Sequence, residues 1–467
     1  GELVTLEEEV LLSLRPSEEE QAHINDVARR IMDLVESSGH VRAMVVGSVA
    51  RNTWVRGDKD LDIFLLFDPS LSRERLEEEG LALARDTAAA FTGTLVEKYA
   101  EHPYINAHIE GLDVDLVPCY RVESARQIQS AVDRTPFHTR YIREKIQEHI
   151  DDVLLMKQFC KAGGVYGSDQ MTEGFSGYLC ELLVLHHGGF RALLEAASRW
   201  RPGMLIDIEG HRTKDFSEPL VVVDPVDPAR NVSASVSLSR MFEFVELARG
   251  YLERPSIEFF QRANARVLSR EELNRELKAR GTHIYAICFD TPPYIEDIVV
   301  PQLRRSTAAI RSLLERNDFF VNRADCAMHP DRCMLVFELF VEDLPAVRRH
   351  IGPPAWNAAN AEKFISKYED SRHLELFAGP YIEDGKYIVE IQRPYTRAED
   401  LLRSHQVLDV GLGRHVKRTM EVDYWDMYRD EECWSEDFAD FLSRFIRYES
   451  PGMRIRRLQK GIEDRAE

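Results

Sequence analysis

The amino-acid sequence predicts a multidomain α+β protein, on three observations. Its 467 residues exceed what one ordinary hydrophobic core organises. Short apolar runs suited to strands are interspersed with longer amphipathic stretches suited to helices, so neither element dominates. The mixture also changes along the chain. Closely spaced strands run to about residue 140, helices prevail from there to about 255, and strands and helices alternate to the end.

Ser17 followed by Glu20 is a capping box. It opens a helix with Ile24, Val27, Ala28, Ile31, Leu34 and Val35 on one face and Gly39 as its stop. "VRAMVV" and "DLDIFLLF" read as strands and "SRERLEEEGLALARDTAAAF" as a helix. "LVEKYA", "YINAHIE" and "LDVDLVPCY" read as three further strands. From Tyr141 to Arg254, "DDVLLMKQFCKAGG", "FSGYLCELLVLHHGGFRALLEAASRW" and "SLSRMFEFVELARGYL" read as helices. "LVVVDPVDPARNVSAS" between the last two reads as a strand followed by a turn-rich loop. "ERPS" marks a boundary. Beyond it "HIYAICFD", "QLRRSTAAIRSLLERN", "RCMLVFELFVE" and "KYIVEIQRPY" predict an α+β region of two subdomains, closed by a helix over "SEDFADFLSRFIRY". The expected domains are therefore 1–140, 141–255 and 256–467.

With 44% hydrophobic and 30% charged residues the composition is that of a soluble globular chain. The densest apolar run, "YLCELLVL", is far too short to span a membrane. "GELVTLEEEV" lacks the basic and apolar pattern of a secretory signal. Seven scattered cysteines, odd in number and without a CxxC pair, fit a reducing cytoplasm. A net charge of −20 weighs against nucleic acid as a partner of the whole surface, although local basic patches supply phosphate contacts where they occur. "QLRRSTAAIRSLLER", "LGRHVKR" and "GMRIRRLQK" are such clusters, and the excess of arginine over lysine suits bidentate phosphate recognition.

The chemistry concentrates in "MVVGSVARNTWVRGDKDLDIFLLF". Strand side chains alternate, so Asp60 and Asp62 project from one face and are placed to share a divalent cation; hard carboxylate oxygens suit Mg²⁺. Asp113 and Asp115 in "LDVDLVPCY" repeat the arrangement, so a neighbouring strand brings a third carboxylate. Three carboxylates across two strands are a usual support for two metal ions in phosphoryl transfer. Gly47-Ser48 sits where a strand turns into a helix, a position at which backbone N–H groups receive phosphate. Cys326, His329 and Cys333 lack a fourth ligand at zinc-like spacing and read as scatter at strand ends.

Gly47-Ser48, a gap of eleven residues and then Asp-Leu-Asp-Ile resemble the signature of the polymerase-β nucleotidyltransferase superfamily. Adding "YAEHPY", "VDLVPCY", "AVDRTPFH" and "GFSGYLCELL" in that order, the chain resembles the class I, archaeal-type CCA-adding enzymes. The resemblance is dense from Gly47 to Val232 and thinner beyond. It implies a nucleotidyltransferase head, a mainly helical central domain that completes the nucleotide pocket, and an α+β body and tail that bind tRNA. It implies addition of C, C and A to the tRNA 3′ end from CTP and ATP, with two Mg²⁺ ions. By the same resemblance Asp60 and Asp62 match the metal-binding pair and Asp115 the third carboxylate, which helps activate the 3′-hydroxyl. Asp113 is then a spare. Ser48 and Arg51 match triphosphate-holding residues, and Thr135, His138, Lys157 and Tyr166 match other nucleotide contacts. Arg230 matches the arginine that reads the base edge. Val49 stands where many relatives have an aromatic residue, a departure that concerns packing. Rival readings are another superfamily nucleotidyltransferase, such as a poly(A) polymerase or oligoadenylate synthetase, or a catalytically silent RNA-binding protein. The oligomeric state stays open between monomer and homodimer.

Overall fold

A computed structural model describes residues 5–99, 101–262, 266–369 and 376–462. Ala100 of the "YAEHPY" motif and the first four residues of the acidic N-terminus lie outside them. The chain packs into two units. The first comprises the described residues of Gly1–Ala265, Tyr294–Ile298 and Tyr448–Ala466, and the second those of Arg266–Pro293 and Val299–Arg447.

The first unit opens with helix α1 (Leu6–Leu14), which the sequence reading missed although Thr5 and Glu8 form a capping box. Helix α2 (Glu18–Glu36) starts at the expected Ser17–Glu20 box and buries Ile24, Val27, Ala28, Ile31 and Val35. Leu34 was expected on that face but is 38% exposed, at the edge of the buried stripe. Strand β1 (Arg42–Val46), a single helical turn α3 (Gly47–Arg51), strand β2 (Asp60–Phe67) and helix α4 (Arg73–Ala89) follow. Strands β3 (Leu95–Lys98), β4 (Tyr104–Ile109) and β5 (Leu112–Tyr120) complete a five-stranded sheet of order β1-β2-β5-β4-β3. Only β2 and β5 run parallel. Leu61, Ile63, Leu65, Val114 and Leu116 form the core beneath the sheet, against α2 and α4. Alternation then commits the intervening residues of β2 and β5 to the opposite face.

Helices α5 (Thr135–Lys145), α6 (Ile150–Ala162), α7 (Gly177–His187) and α8 (Phe190–Ala197) come next. The run expected as one helix over "FSGYLCELLVLHHGGFRALLEAASRW" is broken after His187. Gly188 adopts φ +83°, a left-handed turn that ends α7. Strands β6 (Met204–Ile206), β7 (Leu220–Asp224) and β8 (Asp227–Asn231) form a small sheet, and helix α9 (Leu238–Glu253) follows. The segment "DPVDPARN" is thus a tight antiparallel hairpin and not the turn-rich loop expected. Phe159, Phe190, Phe244, Tyr251 and Phe259 interlock in the core of these helices.

The second unit holds a four-stranded and a three-stranded antiparallel sheet. Val299, Leu303, Ile310 and Leu314 of the long helix Glu296–Arg316 pack against Ile287, Phe289, Leu335 and Phe337 of the larger sheet. Cys326 and Cys333 belong to that same core, and burial pushes both thiols up to about 11, away from the thiolate a zinc ion needs. The helix expected over "SEDFADFLSRFIRY" is present as Ala439–Ile446. One further helix, Pro451–Gln459, returns to the first unit, so the tail is not continuous with the 256–467 body expected. It lies on α9, with Ile455 buried in the core and Gln459 bonded to the Arg254 carbonyl at 2.9 Å. Among the described residues no helix is long and apolar enough to cross a membrane.

This return of the chain is testable. Ile455→Ala removes a side chain that is only 4% exposed, and the cavity costs about 2–5 kcal/mol. In calorimetry the first unit should melt earlier; an unchanged thermogram would show that the last helix does not close that core.

Candidate active site

The parallel register of β2 and β5 sets Asp60 beside Asp113 and Asp62 beside Asp115. All four lie on the face opposite the apolar core. Asn106 enters from β4, opposite Asp115, and its Nδ2 donates to Asp113 Oδ1 at 2.7 Å and Asp115 Oδ1 at 2.8 Å. Desolvation, then the charges of Asp115 and Asp60, push Asp62 up to about 7. Desolvation and Asp113 raise Asp60; desolvation also raises Asp115, and the hydrogen bond from Asn106 opposes it. Such crowding of hard anionic oxygens fits a divalent cation, because protonation is the only other relief open to these groups. Among the described residues no three His, Cys, Asp or Glu side chains form a ready-made cation cage.

Gly47 follows β1, whose Val46 pairs with Asp62. Its φ is +75°, and a Cβ there would stand 2.9 Å from Asp62 Oδ2, so only glycine lets the turn pass the carboxylate. The helix that follows is five residues long, too short for the dipole expected of a helix N-terminus; what it offers is backbone N–H groups and Ser48. Val49 packs partly buried on the head core.

Arg51 is buried and pairs with Glu181 of α7: its NH2 donates to Oε1 at 2.8 Å, while Nε lies 2.7 Å from Oε2 without hydrogen-bond geometry. Lys157 of α6 lies 3.6 Å from the same carboxylate and donates to the Thr53 carbonyl at 2.8 Å. Burial lowers the affinity of Lys157 for its proton, and Glu181 opposes this. A Cβ at Gly177 would stand 3.1 Å from the Tyr166 hydroxyl and 3.5 Å from Lys157 Nζ. Arg51, Lys157 and Tyr166 are therefore one neighbourhood, and each cation in it already has an anionic or carbonyl partner.

A second neighbourhood centres on Asp224, the last residue of β7. It accepts from His138 Nε2 at 2.7 Å, Arg230 NH1 at 3.0 Å and the Tyr178 hydroxyl at 3.0 Å. Burial alone would raise this carboxyl; the bonds from His138, Val226 N–H and Arg230 outweigh it and hold Asp224 at about 2. Burial lowers His138. The hydrogen bond and charge of Asp224 oppose this, and the ring carries a proton on Nε2, since a carboxylate only accepts. Arg230 stands on β8 and not in a loop, so its position is fixed by the hairpin. His138, Tyr178 and Arg230 line a cleft of about 770 Å³. The aspartates, Ser48, Lys157 and Tyr166 do not line it. Neither does Thr135, whose carbonyl accepts from Thr139 in the first turn of α5.

Three family models match the chain. They are a nucleotidyltransferase domain over residues 28–138, a tRNA nucleotidyltransferase second domain over 151–261 and a CCA-adding enzyme C-terminal domain over 280–428. A CCA-adding enzyme of Methanoregula boonei is 59% identical over 458 residues, covering 98% of each chain. One from Methanosarcina acetivorans is 40% identical over 94% of this chain and 97% of its own.

The chain belongs to the CCA-adding enzyme family.

Among solved structures, a cytoplasmic RNA terminal U-transferase aligns at 14% identity and a TM-score of 0.42, over 55% of this chain and 97% of that one. For this CCA-adding family member the sequence reading missed Asn106, Glu181, Tyr178 and Asp224. Glu181 had a signal, a lone carboxylate inside the apolar run "YLCELLVL", which must find a cation when the helix is buried. Asp224 likewise ends "LVVVD". Asn106 and Tyr178 had none, being ordinary residues of a strand and a helix.

The crowding at Asp62 gives a stability prediction of definite sign. Its folded pKa of about 7 lies above the unfolded value, so its favourable contribution holds at low pH and is lost as pH rises through 7. In chelator at pH 8, Asp62→Asn should therefore melt higher than the parent chain, by a few kcal/mol at about 1.4 kcal/mol per unit. The gain should shrink as pH falls toward 4. A variant that melts lower at pH 8 would mean the carboxylates do not repel one another.

Proposed function

We propose that this chain adds C, C and A to the 3′ end of tRNA in the cytoplasm, using CTP and ATP and releasing pyrophosphate. The observation behind this reading is a face of register-paired aspartates in a chain that matches a CCA-adding enzyme over 98% of its length. Asp60, Asp62 and Asp115 are the proposed cation ligands. Divalent cations, here proposed as two Mg²⁺, supply positive charge at the α-phosphate and at the departing pyrophosphate. Asp115, oriented by Asn106, directs the 3′-hydroxyl toward the α-phosphate; the O3′–P bond forms as the bond to pyrophosphate breaks. Ser48, Arg51, Thr135, Lys157 and Tyr166 are proposed to hold the triphosphate and sugar. His138 helps keep Asp224 anionic, and Asp224 in turn orients Arg230 toward the base.

The RNA surface is proposed to lie in the second unit. Gln302 Oε1 accepts from the His415 N–H at 2.7 Å, joining the helices Glu296–Arg316 and Arg414–Asp423 side by side. Exposed Arg304, Arg305, Arg414 and Arg418 thus stand on adjoining helices, a spread of cations that suits phosphates read by shape. The cluster "GMRIRRLQK" is less available than expected, since Arg456 pairs with Glu253 and Arg457 with Glu449.

Purified protein, tRNA lacking its CCA end, Mg²⁺ and each labelled nucleotide in turn test the function directly. Incorporation of C, then C, then A is expected; addition of A alone would turn the reading toward a poly(A) polymerase. Asp60→Ala, Asp62→Ala and Asp115→Ala should each lower the rate about a thousandfold or more, with tRNA binding nearly unchanged. Asp113→Asn, which keeps shape and is assigned no ion, should be mild. A dead Asp113→Asn beside an active Asp115→Ala would place the third ligand on the wrong residue.

Arg230→Ala should alter choice among CTP, ATP, UTP and GTP, by about tenfold or more in relative kcat/KM, while affinity for the triphosphate moiety holds. Unchanged preference would leave Arg230 as nothing more than the ion-pair partner of Asp224.

A further inference from the structure

The loop between β6 and β7 presents an aromatic side chain that no core uses. Phe216 is half-buried, yet among the described residues it packs into none of the hydrophobic clusters. Lys214 of the same loop holds its ammonium 5.2 Å from the centre of the ring. Both side chains line the cleft of about 770 Å³ into which Arg230, His138 and Tyr178 also face. A single half-exposed phenylalanine on an open surface needs no explanation. One in the wall of a polar cleft that a guanidinium also lines, and under an ammonium, is not explained by packing. The cleft is also of a size that takes a nucleotide.

Resting on the nucleotidyl-transfer reading above, we infer that Phe216 is a stacking platform for a nucleobase whose edge is presented to Arg230. Every base has a π-face, so an aromatic ring gives affinity without choosing among bases. A guanidinium has in-plane donors and distinguishes one hydrogen-bonding edge from another. The two residues divide the work: Phe216 grips the base by its face, and Arg230 selects by its edge. Lys214 adds a cation to the same wall, favourable both to the ring and to a phosphate nearby. Two ligands share this chemistry, the base of an incoming nucleoside triphosphate and the terminal base of an RNA 3′ end.

Phe216→Trp in the full-length chain provides the test, read as indole emission above that of the parent protein. Titrants are CTP, ATP, inorganic tripolyphosphate and tRNA lacking its CCA end. Saturable quenching by CTP and ATP but not by tripolyphosphate assigns the platform to the incoming base. Quenching by the tRNA alone assigns it to the RNA end, and either result supports the inference. Phe216→Leu keeps apolar bulk and loses the π-face, so KM for the ligand concerned should rise about tenfold with a smaller change in kcat, and tryptophan should restore it. No quenching by either ligand, with unchanged KM in Phe216→Leu, overturns the inference. The two readings fail separately. Nucleotide-dependent quenching in a chain that adds nothing to tRNA would remove the CCA reading alone. Normal CCA addition with silent Phe216 variants would remove this one alone.

Discussion

Four aspartates held in register on one face of a sheet are the constraint around which the first unit is organised. Two unit charges about 4 Å apart at a protein surface repel by roughly 4 kcal/mol, and β2 and β5 impose such neighbours twice. The fold tolerates this because the opposite face of the same strands is a fully buried apolar layer, whose burial does not depend on what the polar face presents. Gly47 and Asn106 follow from the same constraint. The first lets a turn pass within touching distance of Asp62, and the second ties Asp113 and Asp115 through one amide. A site that spends stability on concentrated charge is the ordinary pattern where function needs a strained arrangement.

The cations nearby relieve that charge only in part: Lys161 favours ionised Asp60 and Lys98 ionised Asp115, yet desolvation outweighs them, and other cations are held by carboxylates elsewhere. Arg51 and Lys157 meet at Glu181, and His138 and Arg230 meet at Asp224. Arg51 is near enough to favour ionised Asp62, but desolvation and two aspartates outweigh it. Buried ion pairs contribute little net stability, since desolvation offsets most of their attraction. Their value here lies in direction. A guanidinium held on Glu181 and an ammonium fixed on the Thr53 carbonyl are committed to those partners, which leaves the aspartate oxygens for the ions proposed above.

How much of this was legible in the sequence depended on the range of the interaction. The period-two spacing of Asp60 with Asp62 and of Asp113 with Asp115 is local, and it placed each pair on one face of its own strand; the parallel register that joins the pairs came from the fold. The strand pattern of the head was legible for the same reason. Partners distant along the chain were not: Arg51 and Glu181 are separated by 130 residues, and no local period announces such a pair. Local signals also misled where two readings shared one composition. "DPVDPARN" holds the prolines and aspartates of a loop, yet Val223 pairs with Asn231 and the segment folds back as a hairpin. The apolar patterns on either side of His186-His187-Gly188-Gly189 led to one helix being expected, although the glycine pair carried the stop signal that the left-handed Gly188 fulfils. The last helix went unread, because the segment "GMRIRRLQK" was seen only as a basic cluster and its packing partner α9 lies far along the chain.

A strongly acidic chain that handles RNA is less paradoxical once charge is considered patch by patch. Counterion release rewards local contacts between arginine and phosphate, while the remaining surface meets the RNA only through a screened field that decays over about 10 Å. Negative surface beyond that range costs little where the basic helices dock, and it opposes indiscriminate adhesion elsewhere along a polyanion. On the proposed RNA surface the −20 total would therefore work with the exposed arginines of Glu296–Arg316 and Arg414–Asp423. Attraction is confined to one patch, and a ligand must match that patch in shape to gain from it. In the first unit the same logic is carried to atomic scale: paired cations near the pocket, unpaired anions at the centre, and selectivity that arises from where charge is left uncompensated.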